Sequence, residues 1–175
     1  MALSCMHGLA LLRIGFGLYF VSTAIDKVSK GWLTDPGPMS QFITGPLQRG
    51  QTEAFYRPFL ESVVLPNALT FSQLVAAGEV LVGLSLSLGL FTVLGSAGSA
   101  LLVVNYMLMK GLLNNAGSND RLFLLASVVF IVTSAGLVWG LDDQWHRVLA
   151  RTSLLRWLTG PSDQLPERRA AGSNT

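Results

Sequence analysis

Charge is scarce in this chain of 175 residues. Only 13% of them are Asp, Glu, Lys or Arg, where a soluble globular chain carries about a quarter. Cysteine is scarcer still: the lone Cys5 excludes an internal disulfide, a CxxC redox pair and a cysteine zinc site. There is no P-loop, no GxGxxG after a strand, no HExxH and no Ser/His/Asp arrangement, so the chain brings no cofactor machinery of its own. The net charge of +2 is scattered rather than gathered into a basic stripe, which excludes nucleic acid as a partner. No long acidic or basic tract points to a sizeable disordered tail. Apolar residues, by contrast, make up 50% of the chain, and the mean hydropathy is +0.49. They come in runs too long for so small a domain to hide, so the chain reads as an all-α integral membrane protein.

The first run spans about 8–28. No Lys or Arg precedes its hydrophobic part, Arg13 lies inside it and no A-x-A site follows, so it reads as a retained transmembrane helix rather than a signal peptide. The second apolar region, Leu69 to Leu113, is interrupted only by Glu79 and Lys110. A crossing takes about 20 residues, so this region holds two, about 69–89 and 92–113. The turn between them is expected at Gly89, with Thr92 capping the next helix. A fourth span, about 122–141, carries no charge and closes on Trp139 and Trp145, residues suited to the headgroup region. The result is a four-helix bundle in one domain, residues 1–160, with a polar tail at 161–175.

Between spans one and two lies a long Pro- and Gly-rich loop. Its second half sets Phe55, Phe59 and Val63 beside Tyr56, Leu60 and Val64 at helical spacing, which predicts a short interfacial helix started or kinked by Pro58. After span four, Arg147, Arg151 and Arg156 alternate with Leu and Trp, predicting a second interfacial helix on anionic lipid headgroups. Four spans put both termini on one side, and the basic C-terminal helix makes that side cytoplasmic, against the weight of Lys27, Lys30, Arg49 and Arg57 in the first loop.

Charges inside hydrocarbon are costly and usually mark function. Glu79, about ten residues into its helix, is placed ~15 Å deep. Gly83 and Ser87 follow it at four-residue steps as a face for close helix contact. Glu79 is then either protonated or paired with a cation, and Arg13 is the candidate partner; a buried pair that merely sets helix register is the competing reading. A second cluster follows from topology: Asp26 and Lys27, Asn105, Tyr106 and Lys110, and Asn119, Asp120 and Arg121 all fall in one half of the membrane. They would suit a small anion or the polar head of a quinone. Charges at helix ends also belong there as caps, which is the plainer account of Lys27, Asp120 and Arg121. His7 and His146 share a membrane face but sit in no span, which leaves a bis-His haem as a minor reading. Met107 and Met109 are expected to pack.

These residues resemble the DoxX/DoxD-like small membrane proteins, among them the DoxD-type subunit of thiosulfate:quinone oxidoreductase. The likeness lies in Arg13 to Val28, with an embedded Arg, a Gly-Phe-rich helix and a terminal Lys. It continues in Gly78 to Thr92, with a Glu, Gly-Leu repeats and a Gly-Leu turn, and in Ser134 to Trp145, a glycine-bearing helix running into aspartate. The resemblance implies a four-helix membrane subunit in a bacterial or archaeal cytoplasmic membrane. It places Arg13, Glu79 and Lys27 at the family's embedded and helix-end charges.

Two roles compete. In the first, the chain is the membrane subunit of a quinone-linked oxidoreductase, acting in sulfur-compound oxidation such as that of thiosulfate. Glu79 would be its catalytic proton carrier, Arg13, Lys27, Asn105, Tyr106, Lys110 and Arg121 its quinone- or substrate-binding residues, and quinone a substrate rather than an intrinsic cofactor. In the second, it is a non-catalytic accessory subunit of a larger respiratory or photosynthetic complex, contacting neighbours through the small residues Gly95, Gly98, Ser99 and Ala100. Either role requires other membrane subunits and lipid as partners. A transporter or channel is disfavoured, because four helices form a pore only by oligomerising and the spans lack Gly/Pro breaks.

Overall fold

The computed structural model describes residues 2–112, 119–133, 136 and 139–141, with side chains from residue 6 onward. The helices are α1 (Ala2–Ser29), α2 (Gly37–Gln48), α3 (Arg57–Phe59), α4 (Ala68–Leu88), α5 (Thr92–Lys110) and α6 (Asp120–Thr133). No strand occurs among the described residues. Helix α1 packs on α4, α4 on α5 and α5 on α6. Phe16 of α1 closes the ring by meeting Phe123 and Phe130 of α6 edge-on, at centroid distances of 5.2 and 5.5 Å. Phe20, Val82, Leu86 and Val103 fill the space between.

Helices α1 and α4 run antiparallel, and each step up one is matched by a step down the other. Arg13 lies beside Gly89, Gly17 beside Ser87 and Val21 beside Gly83. The helices touch through glycine: a Cβ at Gly17 would stand 2.8 Å from the Gly83 carbonyl oxygen, and one at Gly83 would stand 2.8 Å from the Val21 amide nitrogen. Gly83 and Ser87 therefore form the contact face expected of them. At the far end of α4, Gly89 adopts φ +64° and turns the chain toward α5. Thr92 is not the cap but the first residue inside α5; Phe91, at φ +52°, holds the capping position without a side-chain bond. Ser85 secures this turn by donating to the Leu90 carbonyl at 2.6 Å.

The long first loop is largely helical. Asp35 Oδ1 accepts the Gly37 amide hydrogen at 2.8 Å and starts α2, which the Pro/Gly composition had concealed. Pro58 sits in the first turn of α3, as expected, but the short helix does not end there. It continues through a π turn (Leu60–Val64) and a 3-10 turn (Leu65–Asn67) into α4. Pro66 lacks an amide hydrogen and forces this irregularity, and the Asn67 side chain donates to the Val63 carbonyl instead, at 2.9 Å. Leu60 and Val64 are buried against Trp32, Met39, Ile43, Leu47 and Met109, whereas Phe55, Phe59 and Val63 face outward. The loop thus forms a lid over one end of the bundle.

Among the described residues, three helices are long and apolar enough to cross a membrane: Met6–Ser29, Arg57–Leu88 and Thr92–Lys110. Leu81 and Leu101 are 69% and 66% exposed, and Leu122, Leu125 and Val132 also point out of the bundle. So much outward leucine on helices this long calls for hydrocarbon rather than water around them. This is an all-α membrane protein. The 14 residues of α6, Asp120–Thr133, begin just before the expected fourth span and run through its first half. Trp145, His146, the predicted basic helix and the polar tail lie outside the described residues. Of the small residues of α5, Gly95 packs on Ser85 of α4 and Ser99 bonds Ser127 of α6 at 2.8 Å, so both turn into the bundle, while Gly98 and Ala100 are half-buried.

The glycine contact generates a test. Gly17→Ala should destabilise the protein by about 1–3 kcal/mol through overpacking. Gly8→Ala, in the same helix but with nothing near its added carbon, should be neutral or slightly stabilising. Thermal unfolding in detergent, followed by tryptophan fluorescence, compares the two.

Candidate functional site

Helix α1 ends in a way that fixes both Lys27 and what covers it. Gly31, at φ +80°, lets the chain double back, so that the Trp32 amide donates to the Lys27 carbonyl and the Gly31 amide to the Val28 carbonyl, each at 3.1 Å. This paired-bond ending brings the residue beyond the glycine onto the last turn. The Trp32 ring accordingly lies 5.0 Å from the Lys27 ammonium. Ser72 donates to the Trp32 carbonyl and Gln73 to the Leu33 carbonyl, tying the turn to α4.

Continuing down the α1/α4 ladder, the residue opposite Lys27 is Glu79. Lys27 Nζ donates to Glu79 Oε1 in an ion pair whose side chains are 13% and 3% exposed. Tyr106 of α5 completes a triangle: its hydroxyl donates to Glu79 Oε1 at 2.7 Å and accepts from Lys27 at 3.0 Å. Glu79 Oε2 is buried with no hydrogen-bond partner. Lys110 Nζ also lies by the Tyr106 ring, 5.4 Å from its centroid, and pairs with Asp120 Oδ2 at 2.9 Å. Two cations and two carboxylates thus surround one phenol, with the most buried member, Glu79, on α4.

The segment before α3 anchors the end of α5. Thr52 Oγ1 donates to the Met109 carbonyl at 2.8 Å and the Glu53 amide to the Leu108 carbonyl at 3.1 Å, satisfying groups a helix end leaves open. This docking brings Tyr56 to Asn105, whose Oδ1 accepts the phenol hydrogen at 2.5 Å. Partial burial holds the Tyr56 phenol above its ordinary pKa, so it remains a donor. Tyr56, Asn105 and Tyr106 form the polar part of a cavity of about 370 Å³ between the lid, α4 and α5. The rest of its wall is apolar, including Met39, Phe42, Phe71 and Leu102, and no charged residue lines it.

Of the residues picked out from the sequence, Glu79, Lys27, Tyr106 and Lys110 come together, and Asn105 adjoins them. Arg13 does not. It is fully buried near the other end of α1, where it donates to the Trp139 carbonyl at 3.2 Å and fills the space beside Gly89 and Gly140. An antiparallel partner could not have paired it with Glu79, because ten residues of α4 separate Glu79 from Gly89, roughly 15 Å. A cation there suits the carbonyl-rich C-terminal end of α4. Arg121 is exposed and donates to the Leu112 carbonyl at 2.6 Å, and Asp26 pairs with Lys30 on the surface. His7 packs edge-on against Trp139, 4.8 Å between centroids; its suggested haem partner, His146, lies outside the described residues. Met109 is buried in the lid core and Met107 packs against the bundle core. Trp32 and Tyr56 were not anticipated as parts of the site; the Lys-Gly-Trp sequence at the end of span one was the available sign of the first.

An all-α membrane bundle with a buried acid–base cluster beside an apolar cavity is the class that fold and site define. A family model described as TQO small subunit DoxD matches residues 9–160, and the chain belongs to the DoxD family. No curated protein and no solved structure matches it.

The buried pair predicts strong non-additivity. Lys27→Met leaves a carboxylate buried without its cation and should cost about 3–5 kcal/mol. Adding Glu79→Gln should restore much of that loss. Unfolding midpoints of the two single variants and the double variant measure the coupling.

Proposed function

We propose that this chain is the membrane subunit of a quinone-linked oxidoreductase and that the quinone head enters the cavity beside Tyr106. One observation carries this reading: Tyr106 belongs both to the wall of an uncharged cavity and to the buried Lys27–Glu79 cluster. A neutral, planar, lipid-soluble acceptor suits such a wall, and a proton supply stands behind it. Membership of a family described as a TQO small subunit supports the same assignment.

Reduction of a quinone to a quinol takes two electrons and two protons. The electrons come from a sulfur compound, thiosulfate in the family's namesake reaction, oxidised on a partner subunit. For each proton, the Tyr106 hydroxyl turns from Glu79 to a quinone oxygen, releases its hydrogen there and regains one from the Lys27 ammonium. Lys27 is then reprotonated from water. Tyr106 and Lys27 carry the proton, and Glu79 holds Lys27 charged between turnovers and keeps the phenol in place. Asn105 and Tyr56 orient the head. In this reading the chain crosses the membrane four times with both termini in the cytoplasm, and Arg13 holds the bundle together rather than touching substrate. Of the small residues behind the accessory-subunit alternative, Gly95 and Ser99 are buried within the bundle, and Gly98 and Ala100 are half-buried.

Tyr106→Phe keeps the ring and removes the transferable proton. In the purified complex it should lower the maximal rate of quinone reduction by about 10²–10⁴-fold while leaving quinone binding within a few-fold. Unchanged turnover in a folded variant removes Tyr106 from the reaction.

A further inference from the structure

We propose that the crevice between α4 and α5 is the seat of the quinone's isoprenoid tail, an inference that rests on the function proposed above. A second cavity, of about 740 Å³, runs along these helices toward the Gly89 turn, lined by Leu84, Leu88, Leu90, Phe91, Leu94 and Ala97. It shares Gly78, Val82, Gly98 and Leu101 with the cavity beside Tyr106. The two therefore adjoin as one crevice, with Gly78 and Gly98 among the residues at the junction. Apart from Ser85, its polar side chains lie at one end.

A crevice of this form selects a linear molecule with a small polar head. From Tyr106 to Phe91 the path follows fifteen residues of α5, roughly 22 Å, enough for several isoprene units. Neither cavity has a charged residue in its wall, so a phospholipid phosphate entering head-first would meet no cation and would lose its hydration uncompensated. A quinone carbonyl needs only a hydrogen-bond donor; the Asn105 amide keeps one N–H beyond that given to the Leu101 carbonyl, and the hydroxyls of Tyr56 and Tyr106 can serve by turning from Asn105 and Glu79. The single hydroxyl farther along, that of Ser85, already donates to the Leu90 carbonyl. The remainder offers apolar contact alone, and it runs parallel to the helices, as a membrane-embedded chain must.

The test uses the full chain with its native partner, reconstituted in phosphatidylcholine nanodiscs. The probe is a benzoquinone bearing a four-isoprene tail with a terminal diazirine, and a tail-free methylated benzoquinone is the reference. Photolabelling followed by peptide mass spectrometry should mark residues between Leu84 and Leu94. Leu94→Trp, at an exposed position that lines the second cavity and not the one beside Tyr106, should weaken binding of the tailed quinone by about tenfold and leave the tail-free one unchanged. Labels on α1 or α6, or equal weakening of both quinones by Leu94→Trp, overturn the assignment of the crevice while leaving the head site intact. Failure of the unmodified protein to bind either quinone overturns the proposed function, and the tail site with it.

Discussion

A lysine and a glutamate taken out of water together constrain this protein more than any other contact. Desolvating the two charges is expensive, and their attraction offsets that cost only if the geometry holds. Lys27 stands in the last turn of α1 and Glu79 midway along α4, so the pair forms in one antiparallel register of the two helices. The other contacts obey the same register: glycine faces glycine at Gly17 and Gly83, and Arg13 reaches the end of α4 at Gly89. In hydrocarbon, leucine against leucine specifies little, because lipid tails are equally apolar. A charge pair and a glycine contact, one near each end of the interface, supply the specificity that leucine does not.

The pair also determines what the first loop must do. A salt bridge two residues from the end of α1 would be open to water if the chain simply left the helix there. Instead Gly31 folds Trp32 back over the ammonium, and α2 with the turns before α4 builds an apolar lid from Met39, Ile43, Leu47, Leu60 and Val64. The exposed faces of Phe55, Phe59 and Val63 sit outside that lid, where an interfacial helix would put them. Sealing one end of the bundle lowers the local dielectric, which strengthens the Lys27–Glu79–Tyr106 bonds and penalises any loss of a partner.

Hydropathy made the helices legible, because a run of some twenty apolar residues has few alternatives, and Gly89 marked a turn because only the left-handed conformation serves there. Helix α2 was not legible: Pro36, Gly37, Pro38 and Gly45 read as loop, yet Asp35 and the prolines start a helix whose buried stripe is Met39, Ile43, Pro46 and Leu47. The site was half visible. Asn105, Tyr106, Lys110 and Glu79 stood out as polar groups in apolar runs, but nothing in a single run states how far one helix slides along another. Arg13 therefore looked like the partner of Glu79 by charge, and Lys27 looked like an ordinary helix-end cation. Counting residues from the Gly89 turn back along α4 and forward along α1 reverses both assignments.

The separation of charge from cavity bears on how the work of an oxidoreductase would be divided. Every ionised side chain near Tyr106 is matched: Lys27 with Glu79, and Lys110 with Asp120. The cavity wall beside them holds only neutral groups. A dianion such as thiosulfate would have to break one of these pairs to find a cation, leaving a carboxylate stranded in a medium that penalises it by several kcal/mol. A quinone makes no such demand, and it arrives from the membrane that the leucine-rich outer surface already faces. In the function proposed above, the hydrophilic half of the reaction would therefore fall to a partner outside the bundle and the lipid-soluble half to this chain. The paired charges would then hold protons in reserve beside a cavity wall that is itself uncharged.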